Sequence, residues 1–183
     1  RIAAAVLRRA GSLDAVLEPF LRREPPPVVR AALRAGAAEL LLLGTPPHAA
    51  VAATVAVVPK PFAGLVNAVL RRVASDGAAA LAELDAERLD TPPWLWSAWH
   101  DAYGTAVRDI ARAHAHPAPL DLTLAPGAAA PEGADLLPTG TARLLAGTRM
   151  TELPGFEEGA FWAQDAAAAL PARLLRIQAG ERV

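Results

Sequence analysis

The chain has 183 residues, of which 53% are hydrophobic, and a formal net charge of −1. It has no cysteine, which excludes disulfides, thiolate zinc sites and cysteine nucleophiles within this sequence. Arginines interrupt every long apolar stretch, so no membrane-spanning helix is predicted, and the first ten residues lack the layout of a signal peptide. We therefore expect a cytoplasmic protein with one medium-sized domain or two small ones.

The first half of the chain is a series of amphipathic segments separated by proline and glycine. Ser12 is placed as a helix N-cap, and apolar residues follow it at helical spacing. Pro27 can open a second helix, in which Gly36 would let a neighbouring helix approach closely. Two further helices are predicted over residues 48–58 and 62–73. This pattern predicts a small helical bundle.

The second half changes from helical to strand periodicity. After an acidic connector over residues 75–90, which we expect to be partly helical, Thr91 is placed to cap a helix that runs to Tyr103, and another helix follows to His114. Beyond Pro119 the pattern predicts strands at 120–124, 142–145, 148–153 and 160–164, a turn at 153–156, and a helix capped by Asp165 that runs towards Ile177. The fold class is therefore predicted as mainly α, a helical bundle followed by a small α+β subdomain.

Common catalytic and cofactor motifs are absent. No glycines lie two residues apart, so no dinucleotide-binding fingerprint exists, and there is neither a P-loop nor a G-x-S-x-G elbow. His100, His114 and His116 are of a residue type that binds metal ions, but the cysteine thiolates that usually complete such sites are absent from this sequence. We expect no metal site, and no catalytic residue is assigned in this chain.

Positive charge is concentrated at the front of the chain. Residues 1–72 hold nine arginines and Lys60 against four carboxylates, a net charge of +6, whereas residues 73–183 hold eight arginines against fifteen carboxylates, a net charge of −7. This asymmetry suggests a basic half that binds a polyanion, although a solvated face with local ion pairs would show the same pattern. The candidate RNA-binding residues are Arg8, Arg9, Arg22, Arg23, Arg30, Arg34, Arg71 and Arg72.

Three tryptophans are close together in the helix that follows the connector. Trp99 lies on the apolar face of that helix and is predicted to belong to the core. Trp94 and Trp96 lie off that face, and we expect them to pack on an adjoining domain in preference to stacking on bases.

Several ordered motifs carry a resemblance to a known family. Three are in the bundle, at residues 33–41, 45–55 and 64–72, and resemble the C-terminal portion of a NusB-like helical domain. Such domains occur alone in a transcription antitermination factor and fused to ribosomal-RNA cytosine-C5 methyltransferases of the RsmB type. Two later motifs resemble the methyltransferases alone: Pro93-Trp94-Leu95 with Ala102-Tyr103-Gly104, and residues 153–159 with Ala163-Gln164-Asp165-Ala166-Ala167.

The resemblance implies a longer protein in which RNA binding and catalysis belong to different domains. Residues 1–88 would be a NusB-like RNA-binding domain without its first helices, and residues 89–183 an α+β subdomain that leads into an absent catalytic core. The family's S-adenosylmethionine loop and two catalytic cysteines would lie beyond Val183, with Gln164 and Asp165 adjoining that core. The partner would be ribosomal RNA. The isolated chain should then bind structured RNA weakly, in a salt-sensitive manner, without methyltransferase activity.

Two other functions remain open from the sequence. NusB-like bundles can dock protein partners, and the alanine-lined faces would suit helix packing, so the chain could be a protein-interaction module without catalysis. A stand-alone antitermination regulator is the other alternative, although residues 91–183 have no counterpart in that factor.

Overall fold

Helices make up the first two thirds of the polypeptide and a small sheet makes up the rest. A computed structural model describes residues 1–175 and 180–182. The chain divides into two units, residues 1–116 and 117–183. The helices of the first unit are α1 (Ile2–Arg8), α2 (Ala10–Leu17), α3 (Pro27–Leu41), α4 (Pro47–Val57), α5 (Ala63–Ala82), α6 (Ala86–Leu89), α7 (Pro93–Tyr103) and α8 (Val107–His114). The predicted mainly α fold is confirmed. The domain boundary predicted between residues 88 and 89 stays a prediction, because the two units at 1–116 and 117–183 are defined by compactness alone.

Proline sets the start of three of these helices. Pro27, Pro47 and Pro93 are the first residues of α3, α4 and α7. The first turn of a helix leaves its N–H groups without intrahelical partners, so proline loses nothing there and its fixed φ suits the helix. The predicted start at Pro27 is confirmed.

The core of the bundle forms where α2, α3, α4 and α5 meet. Its largest fully buried leucines are Leu13, Leu17, Leu33 and Leu70. Gly36 of α3 lies at the closest approach, because a Cβ there would fall 2.6 Å from Leu70 Cδ1 and 2.7 Å from Thr54 Oγ1. The close helix packing predicted at Gly36 is therefore confirmed.

The predicted N-cap role of Ser12 is wrong, and the correction explains how α2 contacts α6. Ser12 lies inside α2 and is fully buried. Its backbone N–H donates to Asp90 Oδ1 at 2.7 Å and its hydroxyl donates to Asp90 Oδ2 at 2.8 Å. Beside it, a Cβ at Gly11 would fall 1.9 Å from the Leu89 carbonyl oxygen. The serine is therefore polar because it binds a distant carboxylate.

Thr91 does not cap α7, contrary to the sequence prediction. Its hydroxyl donates back to the Glu87 carbonyl oxygen at 2.8 Å, and Pro92 occupies the cap position without a side-chain cap bond. The acidic connector is partly helical as predicted, because α5 continues to Ala82 and α6 follows. Arg108 of α8 binds Asp85 through two hydrogen bonds of 2.8 Å, which ties α8 to the start of α6.

The second unit is a four-stranded antiparallel sheet with one helix. Its elements are β1 (Leu120–Leu124), β2 (Asp135–Leu136), β3 (Ala142–Leu144), β4 (Phe161–Ala163) and α9 (Ala166–Leu174). The strand order is β2-β3-β1-β4. In the register, Leu122 lies opposite Ala142 on one side and Ala163 on the other. Leu122, Ala142, Leu144 and Phe161 form the buried core of this unit.

Three of the four predicted strands are confirmed, at 120–124, 142–145 and 160–164. The strand predicted at 148–153 is wrong, because Met150–Glu152 forms a single 3-10 turn. Strand β2 was not predicted, and its two residues are too few to show a period. Gly155 has φ of 93° in the predicted 153–156 turn, a conformation that favours glycine.

A buried carboxylate holds the polar side of the sheet together. Asp121 accepts hydrogen bonds from Arg143 Nε at 2.7 Å, from Arg143 Nη2 at 2.8 Å and from the Ala166 N–H at 3.0 Å. It therefore joins β1 to β3 and to the first turn of α9. Asp165 caps α9 as predicted, since its Oδ1 accepts from the backbone of Ala167 and Ala168. The predicted extension to Ile177 lies outside the described residues.

Replacing Gly11 by alanine should destabilise the helical unit. The new methyl group would overlap the Leu89 carbonyl, and backbone cannot yield as a side-chain tip can, so we expect a loss of about 1–3 kcal/mol or more. Gly64→Ala is the matched control, because nothing lies within 4 Å of its Cβ position and α5 should gain up to about 1 kcal/mol. Urea unfolding of both variants measures the difference. Equal stability of the two variants would contradict the close contact between α2 and α6.

Stability of the sheet unit should fall in acid through Asp121. The hydrogen bonds from Arg143 are the main reason that the pKa of Asp121 is lowered in the folded chain. A carboxyl whose folded pKa lies below its unfolded value stabilises the fold above the unfolded value, and that contribution is lost as the pH falls through the folded value. We expect the loss to begin near the ordinary aspartate value of about 3.9 and to continue below it.

Asp121→Asn tests this contribution. The variant should be less stable at neutral pH by about 1.5–3 kcal/mol, the range for hydrogen bonds to charged groups. It should also lose less stability than the wild type between neutral pH and pH values below the aspartate range. Urea unfolding followed through the NMR signals of β1 residues measures both effects, with Asp135→Asn on exposed β2 as the control. If D121N and the wild type lost the same stability in acid, the Asp121 carboxylate would not be the group that makes the sheet unit sensitive to acid.

Candidate nucleic-acid interface

Two of the candidate arginines are held by carboxylates. Arg30 contacts Glu24, with Nε 2.9 Å from Oε1, and also lies within ion-pair distance of Asp14 and Glu18. Arg34 donates from Nε to Asp14 Oδ1 at 2.8 Å. The Arg30 side chain is only 13% exposed. These two arginines therefore fasten the start of α3 to α2 and to the loop that joins the two helices.

The ion pairs fix the charge of this cluster. The hydrogen bond from Arg30 is the main cause of the lowered pKa of Glu24, and the hydrogen bond to Asp14 is the main cause of the raised pKa of Arg34. The cluster sets two guanidinium groups against three carboxylates, a formal net charge of −1. Arg30 and Arg34 consequently add little positive potential for an external phosphate.

Arg8 and Arg9 end α1 in different surroundings. Arg9 Nε lies 2.8 Å from Asp90 Oδ2, although the angle is not that of a hydrogen bond. Arg8 is half-buried, and no ion pair or hydrogen bond to its side chain is found in the described part of the chain. Arg9 therefore belongs to the contact between α2 and α6, whereas Arg8 remains available.

The other four candidates are exposed. Within residues 1–175 and 180–182, Arg22, Arg23 and Arg72 make no ion pair, and Arg71 only donates a 3.3 Å hydrogen bond to Asn67 Oδ1. Lys60, which was not among the candidates, is also exposed. These cations keep their full charge towards solvent, as contact with a phosphate backbone requires.

Arg22 and Arg23 border a cleft with an aromatic lining. The cleft has a volume of about 610 Å³ and is lined by Phe20, Phe62 and Leu65 together with the two arginines. Arg72 lies seven residues after Leu65 in α5, two helical turns further along the same face. We call this surface the Phe20–Phe62 cleft. It places an apolar floor next to uncompensated positive charge.

Arg71 lies on another side of α5 from Arg72. It lines a groove of about 430 Å³ between α4 and α5, together with His48, Val55 and Asn67. The neighbouring arginines of this sequence pair therefore face different grooves, as consecutive residues of a helix must.

The tryptophans occupy three different environments. Trp96 is held between Arg88 and Arg108, whose Cζ atoms lie 5.3 Å and 5.5 Å from the centre of its ring. Trp94 is 71% exposed. Trp99 is only half-buried, so its predicted place in the core is wrong, and its ring centre lies 5.1 Å from that of His114. The expected packing of Trp94 and Trp96 on an adjoining domain stays a prediction.

Gln164 and Asp165 lie at the junction of β4 and α9. Gln164 Oε1 accepts from the Thr123 hydroxyl at 2.8 Å and from Trp162 Nε1 at 3.3 Å. Asp165 Oδ1 accepts the two backbone hydrogen bonds that cap α9. Both side chains are thus oriented by the sheet unit, and their predicted position beside a catalytic core stays a prediction.

Two absences apply to the described residues. Residues 1–175 and 180–182 contain no group of three or more histidine, cysteine or acidic side chains arranged to hold a metal ion. No helix among them is both long and apolar enough to cross a bilayer.

The sequence analysis did not nominate Phe20 and Phe62, which line the cleft, or Lys60, which precedes its lining residue Pro61. Phe20 was assigned to a helical apolar face, although it lies in a 3-10 turn over Glu18–Phe20 next to the arginine pair. Phe62 ends a second 3-10 turn, which contains Lys60. The signal that could have found them is an aromatic residue two positions from a basic residue at each of two turns that contain a proline.

Comparison with known proteins gives two findings. The model of the NusB family matches residues 1–75. The chain is also 37% identical, over 97% of its length, to ribosomal RNA small subunit methyltransferase B of Thermus thermophilus, and 33% identical, over 98% of its length, to the protein of that name from Xanthomonas campestris. A third relative of the same name, from Pseudomonas syringae, is 34% identical over 85% of the chain.

The matched region is a part of those relatives. The chain spans 42% of the Thermus thermophilus protein and 45% of the Xanthomonas campestris protein. The family match falls on the helices that carry the Phe20–Phe62 cleft, and the similarity to the methyltransferases continues through the sheet unit. Residues 1–75 are therefore a NusB-family domain, and the chain as a whole is a homologue of part of ribosomal RNA small subunit methyltransferase B.

Proposed function

We propose that this chain is the RNA-docking part of an S-adenosylmethionine-dependent ribosomal RNA (cytosine-C5)-methyltransferase. The observation that carries the proposal is the position of the exposed Arg22 and Arg23 on an aromatic cleft in the NusB-family domain, with Lys60 next in sequence to the lining residue Pro61 and Arg72 further along the same face of α5. The names of the relatives support a role on ribosomal RNA.

The cleft suits RNA for an electrostatic and a geometric reason. Unpaired guanidinium groups release counterions from RNA when they bind phosphates, which gives affinity that depends strongly on salt. Aromatic and apolar side chains beside them can contact unstacked bases, which duplex RNA does not offer. Glu24 at the edge of the cleft accepts a hydrogen bond from Arg30, which weakens its repulsion of approaching phosphates.

Methyl transfer itself would depend on residues outside this sequence. The family chemistry adds a cysteine thiolate to C6 of cytosine, methylates C5 from S-adenosylmethionine, and releases the adduct with a second cysteine. This chain has no cysteine and no glycine-rich phosphate or nucleotide loop. Its own contribution is to hold the RNA so that a target base can be presented, which such enzymes require.

Arg22→Gln/Arg23→Gln should weaken RNA binding and reduce its salt dependence. Each lost phosphate contact removes about 0.7 from the slope of log affinity against log salt for a single strand, so the double variant should lose about 1.4. Filter binding at a series of salt concentrations, with a ribosomal RNA fragment as the probe, measures the slope.

Arg108→Gln/Arg149→Gln is the control with the same change in net charge. Both arginines are exposed but already contact carboxylates, Asp85 and Glu152 respectively. The control should keep the wild-type slope. Equal slopes for the two double variants would mean that overall charge, and not the Phe20–Phe62 cleft, governs binding. Affinity that is indifferent to salt and to RNA in the wild type would refute the proposed function.

A further inference from the structure

A second cavity lies within the helical unit, away from the Phe20–Phe62 cleft. It has a volume of about 320 Å³ and forms between the end of α1 and helices α6, α7 and α8. That volume falls in the range of small-molecule sites, which are usually concave and mostly apolar with a few convergent polar groups. We call it the Trp99 cavity. Neither the sequence motifs nor the family match assigns a ligand to it.

One wall of the cavity is aromatic. Trp99 of α7 and His114 of α8 both line it, with ring centres 5.1 Å apart and planes inclined by 34°. Trp99 is half-buried, so part of its ring surface remains accessible. Pro92 and Leu95 extend the apolar surface. A planar ring bound here would contact aromatic carbon, which favours a nucleobase over an aliphatic ligand.

The lining of the cavity also contains charged side chains. Arg8, Arg9 and Arg112 line it, against the carboxylates Glu87 and Asp90. Asp90 is next to Arg9, and Glu87 accepts from Arg112 Nε at 3.2 Å, so these four charges compensate one another. Arg8 is then the cation that the described carboxylates leave uncompensated. A single phosphate group would complement it.

His116 adds a hydrogen-bonding atom at the rim. Its Nδ1 lies 2.9 Å from the Arg112 carbonyl oxygen. A carbonyl only accepts, so this contact assigns a proton to Nδ1, and in that tautomer of the imidazole Nε2 is an acceptor. Nε2 could therefore accept from a ribose hydroxyl or an exocyclic amine. The cavity thus combines groups for all three parts of a nucleotide.

We propose that the Trp99 cavity binds one unstacked nucleotide of the RNA, with the base against Trp99 and His114 and the phosphate at Arg8. The inference depends on the proposed function, because it presumes that the chain docks on RNA. An acidic peptide would satisfy Arg8 but would leave the aromatic wall without a planar partner, so the nucleotide is the better fit.

The test uses the 183-residue chain with an oligouridylate and a perfectly paired RNA duplex as probes. Trp99→Leu removes the stacking surface and should lower affinity for the oligouridylate by about tenfold or more, with duplex affinity unchanged. Trp99→Phe keeps a ring and should restore most of that loss. Arg8→Gln should lower single-strand affinity and the salt slope together. Photocrosslinking with 4-thiouridine-substituted RNA should label the peptides that contain Trp99 or His114.

Several results would overturn the inference. If the wild-type chain binds RNA with the expected salt dependence while W99L and R8Q bind single strands as the wild type does, the cavity has no such role, although the proposed function stands. If the wild type binds no RNA, both fail. Should W99L not fold, as judged by circular dichroism, R8Q and the crosslinked peptide decide. Tighter binding of free uridine monophosphate than of oligouridylate, or of an acidic peptide than of either, would also overturn it.

Discussion

The helical unit depends on one carboxylate, that of Asp90. It accepts the backbone and hydroxyl hydrogen bonds of Ser12 and contacts Arg9, so the first turn of α2 is joined to the end of α6 across 78 residues of sequence. A buried carboxylate with several donors is stable, whereas the same group without them would be costly. The contact positions Thr91 and Pro92, from which α7 begins, and so determines where Trp99 and His114 lie relative to Arg8. The nucleotide contact proposed for the Trp99 cavity presupposes that junction.

The arginines are divided between structural and available roles by their neighbours. Arg30 and Arg34 look like the strongest pair in the sequence because they lie one turn apart on one helix, yet Asp14, Glu18 and Glu24 surround them. Arg22 and Arg23 are exposed and make no ion pair with any described residue. A surface ion pair contributes little stability, but it does neutralise the field that a phosphate would meet. The proposed RNA interface therefore depends less on the number of arginines than on which of them have carboxylate partners.

Features set by local physics were predictable from the sequence. Prolines at helix starts and the alternation in Leu120–Leu124 act within a few residues, and the structure confirms them. The small size of Gly36 among apolar neighbours predicted a close approach, although its contacts Thr54 and Leu70 lie on other helices. Features set by long-range partners were not predictable. Ser12 has the local chemistry of a cap, but Asp90 lies far along the chain, and the segment 148–153 has apolar spacing but no strand beside it. For the same reason the sequence could nominate eight arginines but could not separate those with acidic partners from those without.

The contact of Gly11 with the Leu89 carbonyl sets the spacing of α2 and α6 by main-chain atoms alone. No side chain is interposed, and the gap is smaller than a methyl group. Side chains vary in size and rotamer, whereas the radii of peptide atoms are the same in every sequence. Substitutions elsewhere in the bundle can therefore alter its stability without altering this distance. Helix α6 contributes Ala86 and Glu87 to the lining of the Trp99 cavity. The distance of this part of the lining from α2 is therefore fixed by the same main-chain contact.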